Sequence, residues 1–416
     1  MIVKFTIFLY ILAFSFTSCY VPKEIKLSIP QPIENISSAK KCKASVFDYA
    51  SHSNSVHAIP ERKIKLHFYI VDNKEGTNNF NREDGERYIK DLIRAANNKL
   101  RNNREMNLPE GNITPVLPIN YQYVLEGVSY HQLENDWWFD HKNDARNVYS
   151  PKLWKKLAKK DSVAHVFMVE DHPDSIKSST YGGIKGRGVG TRRFVKLSGC
   201  FRLLTDTIWK DNGSYWIRGA SFSAGLLNHE VGHVLGLAHS WQNDGCDDTP
   251  RNPNCWNYAK SGPCKTMVSN NMMDYNAWQI ALTPCQIGRV HQNFSKDKNS
   301  TRKYLLKDWC DLDISSTIKI SRYDSVVWCS SRELKGNIML QTNARLKICG
   351  QVSLPENAKI IMKKGSSLII DGGRIYNDCG LSWNGVFFAQ DRQSDNKPLI
   401  RILNNGKIEN VLGVTN

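Results

Sequence analysis

A chain of 416 residues with 41% apolar content is long enough to bury two or more cores. No run of about 20 apolar residues follows the N-terminus, so no further membrane-spanning helix is expected. The formal net charge of +16 would suit an acidic partner, but the basic residues are scattered and no Lys/Arg block interleaves with aromatics. Nucleic-acid binding is therefore not expected, and the charge reads as a surface property.

The first residues, "MIVKFTIFLYILAFSFTSCY", place Lys4 before an apolar run from Phe5 to Phe16 and small residues before Cys19. This is an export signal over residues 1–19, too short for a comfortable membrane span. Small residues directly before a cysteine resemble the bacterial lipoprotein signal, which implies lipidation of Cys19 and a place on the outer face of a membrane. Phe16 stands where Leu is usual, and plain cleavage near Ser18 leads to secretion instead. Setting Cys19 aside leaves ten cysteines, enough for five disulfides in an oxidising compartment. No CxxC pair occurs, which argues against a zinc ribbon or a thioredoxin-like site.

Residues 20–60 are polar and mixed and read as a tether or pro-segment. The stretch from Lys63 to Val71 alternates, with Ile64, Leu66, Phe68 and Ile70 on one face, as in a half-buried strand. Tyr88, Ile89, Leu92, Ile93, Ala96 and Leu100 then recur at helical spacing. "NYQYVLEGVSY" and Val163–Glu170 read as further strands, so a mixed sheet with helices packed on it is expected over 61–308. Gly186, Gly188 and Gly190 raise a phosphate loop, but no Gly-Lys-Ser/Thr ending or helix follows. That run reads as a flexible loop leading into an edge strand at Phe194–Leu197.

After a linker over 309–334, residues 335–416 change character. Ile338 matches Ile360, Leu340 matches Met362, Leu346 matches Leu368, Ile348 matches Ile370 and Gly350 matches Gly372, all at an offset of 22. Short alternating strands split by Gly and Asn turns at this period predict a right-handed β-solenoid. "GGRIYN" (Gly372–Asn377) returns as "NGKIEN" (Asn405–Asn410), a later coil after an insertion. No obvious polar cap closes the last coil, which is either open or continued in a longer chain.

The chemistry concentrates in "HEVGHVLGLAH". His229 and His233 are one helical turn apart on one face, and Gly236 lets the chain turn and bring His239 round as a third ligand. Three neutral imidazoles suit Zn²⁺ with one position open for water, and Glu230 is placed to take the water proton and pass it to the leaving amine. Leu226, Leu227, Val231, Val234 and Leu235 supply a separate buried face.

HExxHxxGxxH is the zinc signature of the metzincin metallopeptidases, and this chain resembles them. The resemblance implies an α+β catalytic domain with an active-site helix, a C-terminal helix and a tight Met-turn, matched by "SNNMMDYN" with Met273 as its methionine. It also implies that Tyr275 stabilises the tetrahedral intermediate. Ser240 after the third histidine is the matrixin choice. However, 34 positions separate His239 from Met273, and the insert carries "CDDTP", Cys255 and Cys264. That set resembles the pappalysin family, bacterial members especially, over about 63–306. The family implies two disulfides, Cys246–Cys264 and Cys255–Cys285, and calcium at Asp247, Asp248 and Thr249. Some relatives prefer Arg through an acidic residue after the Met-turn tyrosine. "NAWQIAL" has none, so an apolar or mixed pocket on the primed side is expected. Cys42 is placed either to block zinc in a latent form or to pair, with Cys200 as the expected partner.

These readings converge on an exported or surface-anchored zinc endopeptidase acting on protein or peptide, with the solenoid as a spacer or a module for a glycan or protein partner. The alternatives are a matrixin-like enzyme, or a surface binding protein that uses the solenoid and whose peptidase domain is vestigial.

Overall fold

The computed structural model describes residues 23–31, 42–50, 56–139, 150–172, 174, 187–205, 215–390 and 396–412. Cys19, the export signal and Gly186 lie outside them. After a short strand β1 (Lys23–Lys26) comes a mixed sheet of β2 (Arg62–Asn73), β3 (Tyr121–Leu133), β4 (Trp138–Phe139), β5 (Ala164–Asp171), β6 (Arg187–Gly190) and β7 (Phe194–Ser198). The order is β3-β2-β5-β7-β6, with β4 paired to β5. All neighbours are parallel except β6 and β7. Its helices are α1 (Arg82–Arg101), α2 (Ser150–Leu157), α3 (Cys200–Thr205), α4 (Tyr215–Val234), α5 (Pro284–Phe294) and α6 (Ser300–Lys303).

The expected mixed sheet with packed helices is therefore present. One face of β2 buries Ile64, Leu66, Phe68 and Ile70 against Tyr88, Leu92 and Ala96 of α1 and Leu227, Val231 and Val234 of α4. The other face buries Tyr69 and Val71 with Phe139, Leu153 and Phe167, as central parallel strands require. Asn81 caps α1 by accepting from the Asp84 N–H at 2.9 Å, and Lys99 and Arg101 in the last turn oppose the helix dipole.

The glycine-rich run behaves differently from the loop expected of it. Residues 187–190 form β6, antiparallel to β7, so the sheet edge is β6 and not Phe194–Leu197. Low β-propensity concealed this strand. Its glycines serve close packing against α4.

The C-terminal part contains β8 (Ile318–Ile320), β9 (Ser325–Trp328), β10 (Arg332–Glu333), β11 (Ile338–Leu340), β12 (Arg345–Ile348), β13 (Gln351–Ser353), β14 (Lys359–Met362), β15 (Ser367–Asp371), β16 (Arg374–Tyr376), β17 (Gly385–Gln390), β18 (Leu399–Leu403) and β19 (Lys407–Ile408). Every third strand stacks in parallel, giving β8-β11-β14-β17, β9-β12-β15-β18 and β10-β13-β16-β19. Ile338 sits opposite Ile360, Leu340 opposite Met362, Leu346 opposite Leu368 and Ile348 opposite Ile370. Ile375 sits opposite Ile408. These are the pairs the repeat predicts. The inward side chains, among them Ile338, Leu346, Ile348, Ile360, Leu368 and Ile370, form a second core.

Two stretches depart from expectation. Residues 309–334, expected as a linker, contain β8, β9 and β10, with Ile318 opposite Ile338 and Val326 opposite Leu346. That first coil is 20 residues from the next, so the offset of 22 did not align it. Residues 20–60, expected as a tether or pro-segment, pack on the rest of the chain where they are described. β1 adds antiparallel to β17, and Cys42 pairs with Cys329 rather than Cys200. Cys200 is buried beside Ser223 of α4 and forms no disulfide among the described residues.

The two parts meet through a buried ion network. Glu333 bonds the Arg62 guanidinium and accepts from Arg302 Nη1 at 2.6 Å, while Arg302 Nη2 reaches Asp378 at 3.0 Å. Burial alone would raise the Glu333 carboxyl, but the two guanidiniums outweigh it and hold it below its ordinary value. Trp309 packs beneath both arginines, and a Cys310–Cys379 disulfide crosses the same junction.

Candidate active site

Helix α4 carries the first two histidines. Its C-terminus is cut off at Gly236, whose φ of 95° favours glycine, and the chain returns to place His239 beside them. The three Nε2 atoms converge: His229 to His233 is 3.2 Å, His229 to His239 is 3.2 Å and His233 to His239 is 3.1 Å.

The outer nitrogens decide what this convergence means. His229 Nδ1 lies 2.8 Å from the Met272 carbonyl and His233 Nδ1 lies 2.9 Å from the Leu237 carbonyl. A carbonyl only accepts, so each Nδ1 carries the proton and each Nε2 presents a lone pair. The Gln279 amide nitrogen, 3.2 Å from His229 Nδ1, is then a contact, and its donated bond goes to the Asp274 carbonyl at 3.0 Å. Lone pairs aimed at one point do not bond one another. Ligand atoms about 2.0–2.1 Å from a tetrahedral Zn²⁺ stand roughly 3.3 Å apart, so the donor set fits that ion in number, chemistry and spacing. Burial pushes His229 and His239 down to about 3 and lowers His233, which keeps the rings in the neutral, ligating form.

Glu230 is buried between α4 and the edge strand. Burial pushes its carboxyl up to about 8, offset in part by a hydrogen bond from the Gly190 backbone. A Cβ on Gly190 would strike the Glu230 carbonyl and crowd His233 Cβ. Gly188 and Gly190 are thus glycines because the edge strand lies directly against the Glu230–His233 turn of α4.

Beneath the histidines, Met273 is fully buried. Its turn is held by Asn271, whose side-chain oxygen accepts from the Met273 N–H at 2.8 Å and whose carbonyl accepts from Asn276 Nδ2 at 2.8 Å. Asp274 links the turn to the residue after His239 by accepting from Ser240 Oγ at 2.6 Å. Tyr275 is 47% exposed, with its ring 5.6 Å from that of His229 and 4.9 Å from that of His239. Burial, and the Glu230 carboxylate next, raise its phenol above the ordinary value.

Sequence reasoning missed Trp241. It stacks on His239 at 3.8 Å and 18°, and tilts against Tyr275 at 4.5 Å. The usable signal was an aromatic two positions after the third histidine.

The insert is tied down differently from the pairing the family implies. The disulfides are Cys246–Cys285 and Cys255–Cys264. The inner pair closes a short loop whose Ala259 N–H also bonds the Cys264 carbonyl at 2.9 Å. Cys246 is held at the start of α5 because Asp248 accepts from Thr283 Oγ1 at 2.7 Å and the Cys285 N–H at 3.0 Å. Of the residues considered for calcium, Asp248 thus caps α5, Thr249 bonds Asp244 and the Cys246 carbonyl, and Asp247 is exposed. Among the described residues, Asp248 lies near Cys246 and Cys285, whose sulfurs are joined in a disulfide, and Asp247 and Thr249 are not part of that group.

No protein-family model and no curated protein matches this chain. Two solved structures align over 59% of it and 96% of their own chains at 16% identity. They are Tannerella forsythia mature mirolysin in complex with a cleaved peptide, with a TM-score of 0.38, and mirolysin in complex with compound 9, with a TM-score of 0.37. No helix among the described residues is long and apolar enough to cross a membrane, and the four disulfides fit an extracellular protein.

Proposed function

We propose that this protein is a zinc-dependent endopeptidase of metzincin type, similar to pappalysins, that hydrolyses peptide bonds outside the cytoplasm. The carrying observation is the convergence of three imidazole Nε2 atoms, those of His229 and His233 with lone pairs fixed by their Nδ1 bonds, beside a buried carboxylate and a strand whose outer edge is unpaired among the described residues. His229, His233 and His239 would hold the ion, and the two backbone carbonyls fix the tautomers. When bound, zinc supplies Lewis acidity toward water and the scissile carbonyl.

The remaining work falls to the chain. Glu230 accepts the proton of the attacking water and returns it to the leaving amine. The Tyr275 phenol donates to the oxygen that gains charge. The free edge of β6 offers backbone groups to an extended substrate, which orders it before reaction. Lipidation at Cys19 would put the anchor four residues before β1, on the flank of the stacked C-terminal strands. Those strands we read as a β-solenoid that carries the catalytic part.

The test is a diverse peptide library incubated with the protein and with Glu230→Ala, new termini being read by mass spectrometry. Cleavage by the first and a loss of at least about 100-fold in the second support the reading. Equal cleavage by both, or none by either, defeats it.

A further inference from the structure

A cleft of about 670 Å³ opens where α4 ends against α5 and α6. Four cations line it: Arg192, Arg289, Lys296 and Lys298. None forms an ion pair with a carboxylate within 4 Å among the described residues. Asp297, between the two lysines, is instead 3.5 Å from Arg302. Arg289 donates to the Gly245 carbonyl, and its buried Nε has no partner. The nearby Asp244 already accepts from Thr249 and from the Cys246 N–H. Like charges gathered around one concavity raise its potential and attract an anion.

The cleft is lined by residues next in the chain to those of the active site. Gly190, the last residue of β6, lies against His233, and Arg192 follows two positions later. Val234 and Gly236, between the ligands His233 and His239, also line it. Among the described residues β6 pairs only with β7, which leaves its outer edge without a strand partner there. A polypeptide added to that edge in the more stable antiparallel sense runs opposite to β6. The part N-terminal to the bond at Glu230 then passes Gly190 and reaches Arg192.

We propose that this cleft binds acidic side chains of the substrate polypeptide on the N-terminal side of the scissile bond. The proposal rests on the peptidase reading above and adds a substrate class to it.

The experiment uses the full chain and a Lys296→Gln/Lys298→Gln variant, both residues lying outside the catalytic machinery. The best-cut library sequence is remade with Glu or Gln at the third to fifth positions N-terminal to the cut, and separately C-terminal to it. We expect kcat/KM to favour the N-terminal Glu peptide about tenfold at low salt, from a few exposed charge pairs. The preference should shrink toward unity at about 0.3 M salt and in the variant, which still cuts the Gln peptide at the wild-type rate. Equal rates for Glu and Gln, a preference confined to the C-terminal side, or one that survives in the variant overturns the proposal.

Fluorescence anisotropy with labelled pentaglutamate and pentaglutamine separates this result from failure of the peptidase reading. If nothing is cut but pentaglutamate binds tighter and the variant loses that difference, the anionic cleft stands while the peptidase reading falls. If a sulfated oligosaccharide binds and pentaglutamate does not, the acidic peptide is the wrong occupant.

Discussion

Gly188 on the edge strand faces Glu230 so closely that a Cβ built on the glycine would lie 2.5 Å from the carboxylate oxygen Oε1. The strand that is open to a polypeptide and the group proposed to move protons therefore share one steric constraint. A side chain on the strand can enter only by moving the carboxylate.

Gly188→Ala should accordingly keep its zinc but lose about 10- to 100-fold in kcat/KM, because a misplaced general base forfeits much of its contribution. Steady-state kinetics beside metal analysis of the same sample checks this. Full activity in Gly188→Ala would show that Glu230 need not stay where it is.

Gly232 and Met273 make a second such pair. A Cβ on Gly232 would fall on the Met273 sulfur. Gly232→Ala should cost about 1–3 kcal/mol by overpacking. Met273→Ala alone should cost about 2–5 kcal/mol through the cavity it leaves. The double variant should cost less than the two together, a coupling that urea unfolding of all four proteins measures directly. Strict additivity would mean that the turn and α4 do not touch through these residues.

Much of this was legible in the sequence, and what was missed shares physical causes. The histidine spacing specified one helix face plus a return, and both are present. The 22-residue repeat named its own register because inward residues of stacked strands must match in size and polarity, as Leu346 and Leu368 do. β6 stayed hidden because its glycines serve contact with Glu230 and His233 rather than strand propensity. The first coil stayed hidden because its spacing differs by two residues. The disulfide pairing depended on Asp248 capping α5, a long-range contact that no local pattern encodes.

Glu333 joins Arg62 and Arg302 across the junction of the two parts. Replacing Glu333 with Ala leaves the buried Arg62 guanidinium without its carboxylate, takes one of three from Arg302, and should cost about 3–5 kcal/mol. Denaturant unfolding is the check. A cost below about 1 kcal/mol would mean that water already screens the network.

Acid should loosen the outer face of the sheet. His67, His131 and His165 surround Tyr69 there, and the Tyr69 hydroxyl is 3.1 Å from His165 Nδ1. Burial, and His67 next, push His165 down to about 4. Burial also lowers His67, with Lys160 adding to it and Glu126 opposing, and lowers His131, with Lys159 adding. Folded values below the ordinary 6.5 mean that the unfolded chain binds more protons. The stability these neutral rings contribute is whole above about pH 6.5 and is lost as pH falls toward 4. Melting temperatures of wild type and His165→Gln across that window should converge as pH drops. Parallel curves would remove His165 from the account.

The central claim is that three histidines hold one catalytic zinc. Equilibrium dialysis against zinc, followed by elemental analysis, tests it most directly on wild type, Glu230→Gln and His233→Ala, each confirmed folded by circular dichroism. The account predicts about one tightly held zinc per chain in the first two and a loss of at least tenfold in affinity in His233→Ala. A wild type that holds no zinc, or a His233→Ala that holds it as tightly, would contradict it.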